Sequence, residues 1–270
     1  MPSAVRTAAV AGRFYPRRPD ELLRDIRNYS ATSEPAVTAL GCVAPHAGYM
    51  YSGHVAGAVY ARLEIPQRSV ILCPNHTGMG HPLAAMTRAA WQTPLGEVAP
   101  DPELGDALLR AFSPLQENNA AHRAEHAIEV QLPFLQTRQP ELKLIAIAIG
   151  TRDFEILHGL GEALASVISA QSEKVLIVAS SDMNHYESDA VTRVKDHKAI
   201  ERVLGLDPRG LWDVVMKEDI SMCGFGPAVV MLTAAKRLGA TSATLVKYAT
   251  SGDISGDREA VVGYAGIIVT

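Results

Sequence analysis

Three apolar runs of the sequence end in polar segments that carry histidine. They are Val37–Pro45, followed by His46; Ser69–Pro74, followed by His76; and Lys174–Ser180, followed by the pair Asp182 and His185. If these runs are strands of an α/β sheet, the loops after them open at one edge, which is where such sheets bind ligands. The sequence therefore predicts that two imidazoles and an Asp/His pair meet in one cleft.

A fourth segment, Ser221–Pro227, adds a thiol at Cys223. Pro227 is typical of a first helical turn, where no amide hydrogen is needed, so we place Cys223 just before a helix. The partial positive charge of a helix N-terminus favours a thiolate over a thiol. Because a thiolate with two neutral imidazoles is a ligand set for a first-row transition metal, we interpret His46, His76 and Cys223 as a candidate metal site.

Each of these residues also has an ordinary structural interpretation. A single histidine after a strand is often a polar loop residue that bonds to the backbone. A single buried cysteine is usually a small hydrophobic residue, which is how we interpret Cys42 and Cys73. Only the convergence of several strand ends favours a functional site over these alternatives.

The segment Ala124–Gln136 has the periodicity of a helix and carries further polar side chains. Helical spacing predicts that His122, Glu125 or His126, and Glu129 lie along one side, which would face the cleft. A solvated polar face fits the same pattern, and the sequence leaves both interpretations open.

Predicted strands and helices alternate along the chain. Continuous runs rich in Val, Ile and Ala indicate strands buried on both faces, and besides the three named above they are Leu142–Gly150, Ala243–Tyr248 and Ala260–Val269. Helical periodicity covers Pro19–Tyr29, Gly53–Leu63, Pro102–Phe112, Ala124–Gln136, Asp153–Ser169, Ser188–Leu204 and Pro227–Leu238. Since no linker or internal repeat interrupts this order, we predict that residues 1–270 form a single α/β domain, with a central, mostly parallel or mixed sheet flanked by helices.

Composition argues against several classes of function. The formal net charge is −4, and no Lys/Arg-rich block provides the concentrated positive field that a nucleic acid or an anionic membrane requires. The sequence contains no uninterrupted stretch of about 18 apolar residues, so it does not predict a transmembrane helix. The N-terminal sequence does not have the pattern of a signal peptide, and three widely spaced cysteines do not suggest disulfides, so we expect a cytoplasmic protein.

Several short motifs follow one another along nearly the whole chain. They are AGRFYP, APHAGYMYSG, PNHTG, TPLGEV, AEHAIEVQLPFLQ, SSDMNHY, MCGFGP and TSGDISGD with VVGYAGIIV. This series resembles the Memo family, whose prokaryotic members are also called AmmeMemoRadiSam system protein B. The resemblance implies a fold similar to that of class III extradiol ring-cleaving dioxygenases, which hold non-haem Fe(II) with two histidines and a carboxylate.

The resemblance also implies roles for individual residues. His46 and His76 match the two histidine ligands, and Cys223 matches the position where the family has cysteine instead of the dioxygenase carboxylate. Asp182 and His185 match the pocket pair, with His185 in the place of the dioxygenases' acid/base residue. The implied function is that of a metal-binding protein with redox or oxygenase activity on an unidentified substrate.

Fe(II) is the expected metal, with Cu and Zn as alternatives, because a thiolate is softer and more electron-donating than a carboxylate. We expect His185, oriented by Asp182, to move a proton. The expected ligand of the cleft is a small molecule or a peptide. Phe14 stands where the family commonly has tryptophan before Tyr-Pro, so an aromatic wall is kept, whereas a peptide-binding role of the tryptophan does not carry over.

Two other functions are consistent with the same residues. One is a non-catalytic module that binds a peptide or a protein, and the family resemblance then suggests a radical-SAM protein and an Amme-type protein as partners. The other is a metal-free hydrolase with Cys223 as nucleophile, His185 or His76 as base and Asp182 as the orienting carboxylate.

Overall fold

A twelve-stranded mixed sheet forms the centre of the computed structural model, which describes residues 4–270. The strands are β1 (Val5–Arg6), β2 (Gly41–Ala44), β3 (Arg68–Pro74), β4 (Leu83–Met86), β5 (Ala90–Thr93), β6 (Gly96–Pro100), β7 (Gln116–Glu117), β8 (Lys143–Ile149), β9 (Val175–Ser180), β10 (His185–Glu187), β11 (Ala243–Thr250) and β12 (Val261–Val269). The α-helices are α1 (Pro19–Tyr29), α2 (Tyr49–Ala61), α3 (Pro102–Ala111), α4 (Leu132–Arg138), α5 (Phe154–Ser169), α6 (Asp189–Leu204), α7 (Pro208–Lys217), α8 (Phe225–Arg237) and α9 (Gly252–Ser255). Within residues 4–270, no helix is both long and apolar enough to cross a membrane.

The centre of the sheet is parallel and runs in the order β8, β3, β9, β2. On the far side of β2, β12 is antiparallel; it pairs with β2 near its carboxyl end and with β10 near its amino end. Because β9 lies between β3 and β2, the carboxyl ends of all three strands lie side by side. This edge is the one at which the sequence predicts a cleft.

Residues of the central strands alternate between two hydrophobic cores. In β3, Val70 and Leu72 belong to one core, and Ile71 and Cys73 belong to the other. The first core is closed by α3 and α5 to α8, and the second by α1, α2 and α4. Since both faces of these strands are covered, their sequences contain apolar residues without polar alternation.

The predicted α/β class and the mixed sheet flanked by helices are confirmed. The six predicted strands correspond to β2, β3, β8, β9, β11 and β12, although β2 is shorter than predicted. Strands β1, β4 to β7 and β10 are absent from the predicted elements, because runs of two to five residues carry little periodicity. Helices α7 and α9 are absent from them as well.

The predicted helix over Ala124–Gln136 is wrong in its first half. The chain forms turns there, and regular α-helix begins only at Leu132. Glu125 Oε1 accepts hydrogen bonds from the backbone amides of His126 and Ala127 at 2.9 and 3.0 Å. The Glu125 side chain therefore binds the local backbone in a non-helical conformation.

Arg6 ties the N-terminal segment to the segment that contains Glu125. The Arg6 side chain is buried and forms an ion pair with the buried Glu129. Its Nη2 and Nε donate to the carbonyls of Glu125 and His122 at 2.7 and 3.1 Å. Glu129 also accepts a hydrogen bond from the Tyr15 hydroxyl at 2.6 Å. These bonds hold the irregular backbone on both sides of Glu125.

Replacing Arg6 with alanine leaves the Glu129 carboxylate buried without its counter-charge. We expect Arg6→Ala to lower the unfolding free energy by about 3 kcal/mol, the lower end for a broken buried pair, because Tyr15 still donates to Glu129. The control is Arg18→Ala, whose pair with Asp20 is 69% and 65% exposed and should contribute nothing measurable. Urea unfolding compares the two variants, and equal losses would contradict the structural role of Arg6.

Candidate metal centre

The donor atoms of His46, His76 and Cys223 meet beyond the carboxyl ends of β2 and β3, and all lie within 4.8 Å of one another. Cys223 Sγ is 3.1 Å from His46 Nε2. The His46 and His76 rings are nearly perpendicular, with centroids 5.1 Å apart. Donors on one tetrahedral first-row ion are separated by roughly 3–4 Å. Small side-chain rotations would therefore bring all three donors within reach of one cation.

The tautomer of His46 follows from its hydrogen bonds. Its Nδ1 lies 3.0 Å from Ser180 Oγ. Ser180 Oγ donates its own proton to the carbonyl of Ala127 at 2.7 Å and accepts a hydrogen bond from Gln131 Nε2 at 2.8 Å. Ser180 can therefore only accept from His46, so Nδ1 carries the proton and Nε2 presents its lone pair towards Cys223.

His76 is oriented by Glu125. The ring Nδ1 lies 2.9 Å from Glu125 Oε1, and the His76 amide donates to Oε2 at 2.7 Å. Hydrogen bonds and the charge of His76 outweigh burial and leave the pKa of Glu125 below its ordinary value. Since an ionised carboxylate only accepts, His76 Nδ1 is protonated, and Nε2 is the nitrogen left for a metal. Burial lowers the pKa of His76, but the hydrogen bond and charge of Glu125 outweigh it and leave this pKa raised.

Cys223 is held beside β9 by the glycine that follows it. A Cβ on Gly224 would lie 2.4 Å from both the carbonyl oxygen of Ser180 and the Cβ of Ser181. The Gly224 amide donates to Ser181 Oγ at 3.0 Å. Only glycine allows the loop to approach the strand this closely. Helix α8 begins at Phe225, directly after this contact.

Without a bound cation, the surroundings of Cys223 favour the thiol over the thiolate that the sequence predicts. Burial and the negative charge of Asp182 raise the pKa of Cys223 well above its ordinary value, although the start of α8 was expected to lower it. Burial likewise lowers the pKa of His46 far below its usual range, so this imidazole is neutral. A cation would reverse the balance at the sulfur by replacing the thiol proton.

Asp182 does not orient His185, contrary to the expectation from the sequence. Asp182 Oδ1 accepts hydrogen bonds from the amides of His46 and Ala47 at 2.7 and 3.2 Å, and burial raises the pKa of Asp182 to about 7. His185 Nδ1 instead donates to the carbonyl of Ser221 at 2.9 Å. This bond leaves His185 Nε2 as a proton acceptor. The loop before α8 therefore positions His185.

Three polar residues of the site, Ser180, Gln131 and Ser221, were not predicted. Ser180 and Gln131 are fully buried, and Ser180 contributes to the site by accepting hydrogen bonds from His46 and Gln131. A polar residue at the end of an apolar run is the only sequence signal of Ser180, and it has many structural explanations. His122, which was expected near the cleft, lies elsewhere: it is buried, and its Nε2 bonds to the carbonyl of Ala84 at 3.0 Å.

A cavity of about 620 Å³, the cleft, opens in front of the three donors and is also lined by Asp182 and His185. The rings of Phe14 and His126 lie 4.6 Å apart and form one wall. Burial lowers the pKa of His126 to about 4, so this imidazole is neutral. Tyr186 also lines the cleft, is 79% exposed and has φ 61°, a left-handed conformation that is unusual for a bulky residue. The volume suits a small molecule or the end of a peptide.

The chain is similar along nearly its whole length to proteins of one family. Residues 6–268 match the family model described as Memo-like protein. A MEMO1 family protein of Methanosarcina mazei is 45% identical over 267 residues, which cover 98% of this chain and 99% of that protein. A MEMO1 family protein of Methanopyrus kandleri is 42% identical, with coverages of 97% and 98%. Among solved structures, an uncharacterized protein from Escherichia coli matches 84% of this chain and 98% of its own with a TM-score of 0.54; at 12% identity this likeness shows the fold alone.

The close contact of Gly224 with β9 predicts that alanine at this position lowers the unfolding free energy more than alanine at a second glycine of the site, Gly48. Gly224→Ala forces the loop away from Ser180 and should lower the unfolding free energy by about 1–3 kcal/mol. Gly48→Ala is the control, since its Cβ would meet nothing closer than 3.6 Å. Urea unfolding measures both variants. A loss for Gly224→Ala no larger than that for Gly48→Ala would show that the contact does not hold the loop.

Proposed function

The chain belongs to the Memo family, and on that premise we propose that it is a metal-binding protein in which His46, His76 and Cys223 hold a first-row transition metal. The observation that carries this proposal is the orientation of the two imidazoles. Each ring has its Nδ1 bonded to an acceptor other than the thiol, which leaves its Nε2 as the nitrogen near Cys223. We further propose redox or oxygenase activity on an unidentified substrate in the cleft.

Fe(II) is the metal we propose, with Cu and Zn as alternatives. Two imidazoles and a thiolate suit all three metals, and the thiolate makes the set softer than two imidazoles with a carboxylate. Three protein donors leave coordination positions open, which favours a reactive centre over a purely structural one. When bound, iron would supply redox chemistry and polarise the substrate.

Negative charges around the donors suit a divalent cation. Glu125 is an ionised carboxylate behind His76. Cys223 would add a second charge by releasing its proton on binding. Asp182 is 5% exposed and lines the same cleft. These groups would offset part of the cost of taking a cation out of water.

On the substrate side of the cleft, His185 is the candidate proton acceptor. Its Nδ1 donates to Ser221, and burial lowers its pKa, so Nε2 is unprotonated near neutral pH. A hydroxyl group within hydrogen-bond reach of Nε2 would donate a hydrogen bond to it, which is the arrangement that general-base catalysis requires. Phe14 and Tyr186 present aromatic surfaces that suit a flat or apolar group of the substrate.

A second candidate function is a non-catalytic module that binds a peptide or a protein. The observation that favours it is exposed apolar surface: Met50, Met79 and Tyr186 are 64%, 45% and 79% exposed, and each closely follows a histidine of the site. The proposed partners are a radical-SAM protein and an Amme-type protein.

Screening Fe(II)-loaded protein for oxygen uptake with catechols separates the two functions. Uptake supports an oxygenase, whereas capture of either partner without uptake supports the module.

A metal-free hydrolase is the function that the geometry supports least. The imidazole next to the Cys223 sulfur is His46, and the other nitrogen of that ring bonds to Ser180 rather than to a carboxylate. Burial also opposes both charged partners of a thiolate–imidazolium pair. An activated cysteine nucleophile requires a base that is oriented by a third group and surroundings that favour the thiolate.

Protein purified without oxygen should bind about one Fe(II) per chain, because three donors converge on a single position. The double variant His46→Ala, Cys223→Ala should bind none at the same iron concentration. His197→Ala is the control, since His197 is exposed and does not line the cleft. Bound metal per chain is measured after anaerobic gel filtration, for Fe(II), Cu(I) and Zn(II) in turn. If the unmodified protein bound none of the three metals better than the double variant, the proposal would be refuted.

The bond between Glu125 and His76 predicts a graded effect on affinity. Glu125→Gln keeps the shape of the side chain but removes the charge that fixes the His76 tautomer. Metal affinity should fall about 10–100-fold, as for other carboxylates that bond to a metal-binding histidine. Glu97→Gln removes the same charge at an exposed position and should leave affinity unchanged. Competition with a chromophoric chelator measures the metal affinity of both variants. Equal affinities of Glu125→Gln and Glu97→Gln would show that Glu125 does not act through His76.

A further inference from the structure

A second cavity, of about 450 Å³, shares His76, Ser221 and Cys223 with the cleft and is otherwise lined by different residues. It is bounded by the loop that follows β8, by the end of α7 and by the loop before α8. Two of the three candidate donors are therefore walls between two cavities. A ligand in either cavity can approach them.

Arg152 brings a positive charge to this second cavity. Its backbone carbonyl accepts a hydrogen bond from Trp212 Nε1 at 2.8 Å, which fixes the chain at this point. Its guanidinium lies over the Phe225 ring, 5.9 Å from the centroid. Among residues 4–270, no carboxylate oxygen lies within 4.0 Å of this guanidinium. The donors of Arg152 are thus available to a ligand.

We propose that the second cavity binds a small carboxylate-bearing molecule, with its carboxylate on Arg152 and its other end towards Cys223 and His76. A guanidinium presents two parallel N–H donors that match the two oxygens of a carboxylate. Asp219 also lines the cavity, and its negative charge disfavours dianions such as phosphate. The volume lies in the range of about 300–1,000 Å³ that is usual for small-molecule sites.

This inference deepens the proposed function and rests on it in one respect, because the second cavity matters for reactivity only if the shared donors hold a metal. Binding of the carboxylate itself does not require the metal. The site can therefore be tested on the metal-free chain, and its failure can be told apart from failure of metal binding.

Cys223 lines both cavities, whereas Arg152 lines only the second, so the second cavity is probed by how far the alkylation of Cys223 depends on Arg152. Iodoacetate and iodoacetamide alkylate a thiol in the same way: the sulfur forms a bond to the CH₂ carbon, iodide leaves, and the thiol proton passes to the buffer. The two reagents are similar in size, but only iodoacetate carries a carboxylate. Cys42 and Cys73 are 0% exposed, so peptide mass mapping reports modification of Cys223 alone.

The measured quantity is the ratio of the iodoacetate rate to the iodoacetamide rate, on chelator-treated full-length protein at about pH 8.5. The fraction of thiolate at Cys223 is the same for both reagents and cancels in the ratio. Arg152→Gln should lower this ratio about fivefold, the effect of one unit charge at close range in water. Asp219→Asn should raise it. Arg209→Gln is the matched control, because its guanidinium also lies near an aromatic ring, Phe154 at 4.7 Å, but does not line this cavity.

An unchanged ratio in Arg152→Gln would overturn the proposal, because the reagent would then reach Cys223 without using Arg152. Equal decreases in Arg152→Gln and Arg209→Gln would also overturn it, since they would reflect only the net charge. If the ratio depends on Arg152 but the unmodified protein binds no metal, the carboxylate site stands and the proposed function fails. If the unmodified protein binds metal but the ratio is unchanged in Arg152→Gln, the proposed function stands and the carboxylate site fails.

Discussion

Each imidazole at the centre of the site keeps its Nε2 free because its Nδ1 donates to a buried acceptor. Ser180 is that acceptor for His46, and Glu125 is that acceptor for His76. Leaving a buried polar group without its partner costs about 1–3 kcal/mol. Neither ring can turn over without leaving such groups unpaired, so the donor geometry is set by the fold before any cation arrives.

The order of the strands makes these hydrogen bonds available. Because β9 lies between β2 and β3, Ser180 at its end is placed between the loops that carry His46 and His76. The antiparallel strand β12 begins at the same edge, where its first residues pair with β10, the strand that carries His185. The segment that carries Glu125 and His126 belongs to neither a strand nor an α-helix. The buried ion pair of Arg6 and Glu129 holds that irregular segment in place.

The sequence was sufficient to place His46 and His76 at one edge of the sheet, because a position after a buried parallel strand depends only on the strand pattern. It was not sufficient to identify the partner of His185, since a backbone carbonyl of Ser221 carries no sequence signal. The helix predicted over Ala124–Gln136 fails for a related reason. Contacts of its carboxylates with distant backbone, rather than local periodicity, decide the conformation there. The α/β class was predictable because long apolar runs alternate with helical segments.

Burial reduces the charge of three groups of the site, Cys223, His46 and Asp182. It keeps Cys223 protonated and His46 neutral, and it raises the pKa of Asp182 to about 7. A proton and a cation compete for the same sulfur, but only the cation also gains the two imidazole nitrogens. Such a set favours thiophilic metals over hard ions, which prefer oxygen ligands. An anionic ligand in either adjoining cavity would be attracted to a cation bound by these donors, because both cavities share His76 and Cys223.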